Sequence, residues 1–243
     1  MPSTDESPRS RLNLLYGEAA IDKLEQSCVM IFGVGGVGSN CTEALARGRV
    51  GRFILIDADK VAPSNINRQA LAFHSTIGKV KVEAMRDLIL DINPQAQVEC
   101  IETFVTCDTI EPLIKAKLHK IDYVVDAIDT VSAKLKLAEL AQEYGFPLIS
   151  SMGGAHKIHP ELFRFADIYE TQGCKLSKVM RKEAKKRGIK QLKVLYSPEK
   201  RTSSLGDKLP AERALSLGTA SFVPPVMGQM IAGFVIRELL GLE

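Results

Sequence analysis

A doubly wound, mostly parallel α/β sheet of the Rossmann type, followed by a C-terminal α+β extension, is the fold this sequence predicts. Three observations predict it. From residue 28 to residue 150, short apolar runs alternate with helix-compatible stretches, the order that stacked βαβ units require. The segment Gly33-Val34-Gly35-Gly36-Val37-Gly38 directly follows the first apolar run and leads into a helical stretch, so backbone N–H groups can approach a phosphate at a helix N-terminus. Asp57 closes the next apolar run, where a carboxylate can take both hydroxyls of a ribose.

The elements come in order along the chain. The run 28–32 reads as the first strand, and 36–47, opening on the glycines, as the first helix. Residues 53–56 make the second strand, 79–91 an amphipathic helix and 97–104 a third strand. Asn93-Pro94 stops that helix, because proline has no N–H with which to continue the ladder. A helix over 109–118, a strand over 123–126, a helix over 132–144 stopped by Gly145, and a strand over 147–150 complete the alternation. After Met152-Gly153-Gly154 the rhythm changes to a basic helix over 176–187, a strand over 192–196 and a polar loop over 197–213. A loop of that length is expected to be mobile and close to the active site. Residues 214–236 carry no charge over 23 positions, long enough for a membrane span. Pro224-Pro225 and the polar Ser216, Thr219, Ser221 and Gln229 favour instead a loop and a buried helix over 225–240, with no stable membrane insertion. The expected organisation is one domain over 1–243, with a nucleotide-binding core at 10–152 and a substrate-binding and dimerisation extension at 153–243.

Composition narrows the function classes. At 243 residues and 45% hydrophobic, the chain has room for one large α/β core and no second complete domain. The net charge of +3 is mild but uneven: between Lys175 and Lys193 stand nine Lys or Arg and one acid, Glu183. Such a run is either a solvated helix face or an anion-binding patch for RNA. Cys28, Cys41, Cys100, Cys107 and Cys174 form no C-x-x-C pair, so neither a disulfide framework nor a tetrahedral zinc site is expected, and a reducing cytoplasm is the simple inference. Cys28 and Cys100 fall in strands expected to be buried. The polar start, with Asp5 and Glu6, has no apolar core of a secretory signal.

The glycine pattern alone also fits dehydrogenases, flavoproteins and methyltransferases. Two segments further along are more telling: Asn65-Ile66-Asn67-Arg68-Gln69 and Gly78-Lys79-Val80-Lys81 place cations and amides just past Asp57. A dinucleotide's pyrophosphate is largely satisfied by a helix N-terminus and loop amides. A triphosphate attacked at its α-phosphorus needs more, because negative charge moves onto the departing pyrophosphate. Arg68 and Lys81 are the candidates for the phosphate oxygens, with Asn65 as a neutral donor; the competing reading makes both cations ordinary helix-end charges. Asp129, closing Asp126-Ala127-Ile128-Asp129 at the carboxyl edge of the sheet, is placed to hold Mg²⁺. Asp126 caps or orients, and Asp59 is a turn residue or supports the nucleotide site with Gly33, Gly35, Gly36, Gly38 and Asp57. Cys174, after Gly173 and beside Lys175 and Lys178 at an expected helix start, has a setting that favours thiolate; a thioester nucleophile and a structural thiol both remain open. His156 and His159 lack a third ligand and read as polar loop residues.

These residues resemble the adenylation domain of ubiquitin-activating enzymes and their bacterial relatives, the ThiF-type superfamily. The resemblance rests on Gly33 to Gly38, Asp57-Ala58-Asp59, Asn65 to Gln69, Gly78 to Lys81, Asp91-Ile92-Asn93-Pro94 and Asp126 to Asp129, and it runs over nearly the whole chain. It implies ATP as cofactor, Asp57 on the ribose, Asn65, Arg68 and Lys81 on the phosphates and Asp129 on magnesium. It further implies a homodimer in which Arg11, in Arg11-Leu12-Asn13-Leu14-Leu15-Tyr16-Gly17, reaches the partner's ATP. Within the superfamily, Leu15-Tyr16-Gly17-Glu18, Ile128-Asp129-Thr130-Val131, Gly153-Gly154 and the basic helix are most similar to the tRNA threonylcarbamoyladenosine dehydratases. The resemblance thus implies adenylation of a carboxylate on a tRNA nucleoside, then ring closure with release of AMP. Two alternatives stay open. One is adenylation of the C-terminal glycine of a ubiquitin-like sulfur-carrier protein, whose activating enzymes usually carry the paired C-x-x-C motifs that this chain lacks. The other is an NAD-linked oxidoreductase or nucleotide-sensing module.

Overall fold

The computed structural model describes residues 6–200 and 218–242. At its centre lies β1 (Cys28–Phe32), whose five residues are all buried. A strand apolar at every position must be covered on both faces, and alternation sends its side chains to two separate cores. Val29 and Ile31 join one; Cys28, Met30 and Phe32 join the other. Around it run β2 (Arg52–Ile56), β3 (Gln97–Ile101), β4 (Tyr123–Asp126), β5 (Leu148–Ser151), β6 (Arg164–Asp167) and β7 (Lys193–Tyr196). They form one seven-stranded sheet in the order β3-β2-β1-β4-β5-β7-β6. Every pairing is parallel except β6 with β7. The order reverses between β1 and β4, which opens a crevice beyond their carboxyl ends. Phe32 is in register with Ile56 on one side and Asp126 on the other, so the residues just beyond all three emerge at one level.

One face of the sheet is covered by α3 (Gly36–Arg47), α4 (Lys81–Ile92) and the C-terminal α8 (Val223–Leu240); the other by α5 (Cys107–Lys117), α6 (Val131–Tyr144) and α7 (Lys175–Lys186). From residue 223 on, the uncharged stretch therefore lies in a core helix. It is apolar and long enough to cross a membrane by composition, yet it packs on α3, with Met227, Ile231, Ala232 and Val235 buried. Gly228 permits the contact, since a Cβ there would stand 2.6 Å from Val37 O and 2.7 Å from Cys41 N. Before β1 lie α1 (Ser10–Tyr16), which buries no residue, and α2 (Glu18–Gln26), which buries Ile21 and Leu24.

Two differences from the sequence expectation bear on the site. The strand expected over 97–104 ends at Ile101, because its partner β2 ends at the paired Ile56; residues 102–105 leave the sheet and curl over its edge. This edge position also leaves Cys100 only half-buried. The helix expected from residue 79 starts at Lys81, since Val80 is extended and bridges Lys60. In the loop expected over 197–213, residues 201–213 lie outside the described residues.

Candidate active site

The glycine turn is built by close approach. Gly33 has φ +85°, and a Cβ on it would lie 2.9 Å from Ala127 O; a side chain there would be both strained and blocked. Gly36 opens α3 beside Arg68 and Pro224, its absent Cβ position lying 3.5 Å from Arg68 Cγ and 2.9 Å from Pro224 Cβ. Gly38 has a different task. A Cβ on it would lie 1.8 Å from Gly33 O, so it seats the helix against the turn from beneath and does not reach the cavity above. The Val34 N–H donates to Asp57 Oδ2 at 2.9 Å, and the Asp59 N–H donates to Asp57 Oδ1 at 2.8 Å. Each carboxylate oxygen keeps lone-pair capacity for a ribose hydroxyl.

Above this floor lies a cavity of about 670 Å³, lined from the ends of β1 to β5, a size suited to a nucleotide. Strand order divides it. On the β2–β3 side stand Asp57, Ala58 and Thr103-Phe104-Val105; on the β5 side, Ser151, Met152, Gly153 and Ala155, with Leu176 of α7 and Thr219. The polar wall between β2 and α4 carries Asn65, Arg68, Gln69 and Lys81. This wall is stapled to α3: Asn40 Nδ2 donates to Arg68 O at 2.9 Å, and the Ala70 N–H donates to Ser39 Oγ at 3.0 Å. Asn65 Oδ1 closes its own turn by accepting from the Ala62 N–H at 3.0 Å, which aims the amide. Arg68 Nη1 donates to Ser64 O and Asn67 Oδ1 at 2.9 and 2.8 Å, leaving the rest of its fork for a ligand. Lys81 is buried but for 7% of its side chain and donates to Asp59 Oδ2 at 2.7 Å, whereas Asp59 is largely exposed. Asp59 thus lines the cavity and also holds the ammonium group that faces it.

A buried network lies under the opposite wall. Asp126 Oδ1 accepts from Lys134 Nζ at 2.9 Å and from the Ile128 N–H at 3.1 Å, and Oδ2 accepts from Ser150 Oγ at 2.5 Å. Neither Lys134 nor Asp126 has exposed side-chain surface. The network fixes the turn that presents Asp129. That carboxylate is exposed in the cavity wall and accepts from Thr130 Oγ1 at 3.3 Å. Among the described residues no three His, Cys, Asp or Glu side chains gather around one point. A carboxylate facing a wall of cations and amides could hold Mg²⁺, an ion that takes its other ligands from phosphates and water.

Nine of the residues expected here therefore share the cavity: Gly33, Gly35, Gly36, Asp57, Asp59 and Asn65, with Arg68, Lys81 and Asp129. Arg11 does not; it stands exposed on α1. Sequence reasoning missed Gln69, whose buried Oε1 has no hydrogen-bond partner among the described residues, although it lies inside the motif that supplied Asn65 and Arg68. It also missed Phe104, 72% exposed at the rim, which no periodic pattern marks. Cys174 precedes α7 as expected, but its thiol is buried among Ile168, Met180 and their neighbours. Burial pushes the Cys28 thiol up to about 11 and raises Cys41 further, so neither serves as a nucleophile. His159 Nδ1 lies 2.8 Å from Glu161 Oε1, a local pair.

Residues 9–243 of the chain match the ThiF family. A tRNA threonylcarbamoyladenosine dehydratase of Bacillus subtilis (strain 168) is 39% identical over 241 residues, 95% of this chain and 94% of that protein. The solved structure of the E. coli tRNA N6-threonylcarbamoyladenosine dehydratase in complex with AMP superposes with a TM-score of 0.84 at 28% identity, over 94% of this chain and 92% of that one. Its complex with ATP superposes with a TM-score of 0.83 at the same identity and coverage.

Proposed function

The chain belongs to the ThiF family, and from that premise we propose that it uses ATP to adenylate the carboxylate of N6-threonylcarbamoyladenosine in tRNA and closes the activated group to the dehydrated cyclic form. One observation carries the reading: Asp57, Arg68, Lys81 and Asp129 converge on a single cavity, in a chain that aligns along 95% of its length with a dehydratase of that name.

In the first step a substrate carboxylate oxygen bonds to the α-phosphorus of ATP, the bond from that phosphorus to the β-phosphate's bridging oxygen breaks, and pyrophosphate leaves with the electron pair. Asp57 holds the ribose. Arg68 and Lys81 stabilise the charge that grows on the leaving phosphates, and Asn65 adds a neutral donor. Mg²⁺, held by Asp129, would supply further neutralisation of phosphate charge. In the second step the carbamoyl group attacks the acyl carbon, the bond to the AMP oxygen breaks and a proton is lost. The nucleoside has then lost one water, at the expense of ATP going to AMP and pyrophosphate. No protein thioester enters, in keeping with the packed thiol of Cys174. The β5 side of the cavity, from Ser151 to Ala155, is left for the substrate nucleoside.

The same proposal includes a cytoplasmic homodimer in which Arg11 of one protomer completes the site of the other. Its support is α1 itself: it buries no residue and exposes Leu14 by 82% and Leu15 by 70%, and so short a helix needs a partner to cover it. A ubiquitin-like sulfur-carrier protein is the other acyl substrate open to this chemistry. The cations between Lys175 and Lys193 favour RNA.

The test is incubation with ATP, magnesium and tRNA bearing the threonylcarbamoyl group, then assay of AMP and mass analysis of the nucleoside. AMP release matched by loss of one water is expected, and Arg68→Ala or Asp129→Ala should abolish both while keeping the melting temperature. AMP formation that requires a carrier protein and leaves the nucleoside unchanged would replace this reading with the carrier one.

A further inference from the structure

A second depression, of about 400 Å³, lies between α7 and the 3-10 turn Ile168–Glu170, lined by Tyr169, Lys178, Arg181, Lys182 and Lys185. Its chemistry is unlike the nucleotide cavity's. Lys178, Lys182 and Lys185 stand at i, i+4 and i+7 of α7, so they share one helix face, spaced about 6 Å and then about 4.5 Å along the axis. None of the three is in an ion pair among the described residues, and Glu183, the one acid of this helix, is taken by Lys186 at 2.8 Å. Three like charges gathered on one face repel one another, and an anion laid across them relieves that repulsion. Arg181 is anchored from beneath, its Nη1 bonded to Thr171.

Tyr169 supplies the apolar wall. Its hydroxyl donates to Ile189 O at 2.5 Å, which fixes the ring, while 38% of the residue stays exposed. Burial foremost, and then Asp167, raises its pKa, so it adds no negative charge to the cleft. A rigid aromatic face beside a row of cations is how single-stranded nucleic acid is held: bases stack, and phosphates track the charge. The cleft also connects to the chemistry. Leu176, in the first turn of α7, lines the substrate side of the nucleotide cavity. Lys182, six residues on, lies about 9 Å further along the same axis.

We infer that this cleft is a nucleotide subsite for the RNA strand next to the modified adenosine: the target is splayed into the cavity past Leu176, a flanking base stacks on Tyr169, and the adjoining phosphates lie on Lys178, Lys182 and Lys185. This deepens the proposed function and rests on it. It assigns RNA capture to a loop strand and not to a duplex, because a base can lie on Tyr169 only when it is unstacked from its neighbours.

The experiment measures binding of an anticodon stem-loop carrying the threonylcarbamoyl group, across a salt series, by the full chain. Lys182→Glu and Lys185→Glu should each weaken binding on the order of tenfold or more and lower the salt slope by about one. Tyr169→Ala should weaken it by about tenfold without changing the slope, and Tyr169→Phe, which keeps the ring, should bind nearly as the parent does. Melting temperature and ATP affinity serve as controls for the fold. Parental affinity and slope in the two charge-reversed variants, with the parent binding RNA normally, would overturn the cleft while leaving the proposed function standing. A parent that forms AMP only with a carrier protein and has no affinity for the stem-loop would overturn both. Loss of binding to a carrier protein's acidic surface, with RNA binding intact, would assign the cleft to that partner and overturn its assignment to RNA.

Discussion

Asp126 and Lys134 show what one buried pair contributes to a site it never touches. Both side chains are without exposed surface, and the aspartate accepts from an ammonium group, a hydroxyl and a backbone N–H. Removing one partner leaves a bare charge in the interior, which costs about 3–5 kcal/mol. Lys134→Met is therefore expected to lower stability by that amount in urea unfolding, and the double variant with Asp126→Asn should recover part of it; a single variant within about 1 kcal/mol of the parent would mean that water reaches the pair. This pair was not legible in the sequence. Lys134 lies in the stretch Ala133-Lys134-Leu135-Lys136, where it looks as solvated as Lys136, and only the fold separates the two. Asp57's place in the cavity was legible because it depends on chain distance from a glycine turn, and the turn is local. Lys81 was legible as a cation but not as one steadied by Asp59, since that contact spans 22 residues.

At the scale of elements, sequence-local physics sets what could be read. β1 is apolar at every position and β4 nearly so, and Asn93 and Gly145 stand where α4 and α6 stop, Gly145 in the left-handed conformation. β6 was missed because Arg164-Phe165-Ala166-Asp167 is four residues at a sheet edge, too short and too polar to alternate. Residues 102–104 read as strand because no glycine or proline separates them from 97–101; losing the pairing partner is a tertiary fact. The tail needed a tertiary argument as well, and its glycines supply a test. Gly228 touches α3 backbone, whereas a Cβ on Gly233 would meet nothing nearer than Arg237 Nη1 at 3.5 Å. Gly228→Ala should therefore force α3 and α8 apart and cost about 1–3 kcal/mol. Gly233→Ala should be neutral or gain about 0.5–1 kcal/mol from the lost freedom of the unfolded chain. Equal urea midpoints for the two variants would show that the helix crossing is not set by Gly228.

At the scale of the whole molecule, the cavity holds cations on one wall and a carboxylate on the other, yet Arg11 stands outside it on α1, a helix that rests on the core through Leu12 and Tyr16 while Leu14 and Leu15 stay exposed. If two protomers exchange α1, each site takes its arginine from the other chain, and the arrangement can be tested without a structure of the dimer. Arg11→Ala and Asp129→Ala should each abolish AMP release alone. In a mixed dimer, the protomer carrying Arg11→Ala keeps its own Asp129 and receives an intact Arg11 from its partner, so one of the two sites is whole. Statistical exchange of equal amounts should then restore roughly a quarter of the parental activity, rising as exchange proceeds and absent when the variants are mixed just before assay. If Arg11 acted within its own chain, both sites of the mixed dimer would stay defective and mixing would restore nothing. Were Arg11 unnecessary, the Arg11→Ala protein would be active unmixed. The three outcomes separate a shared site from a self-contained one, and only the first gives the exposed leucines of α1 a reason to be apolar.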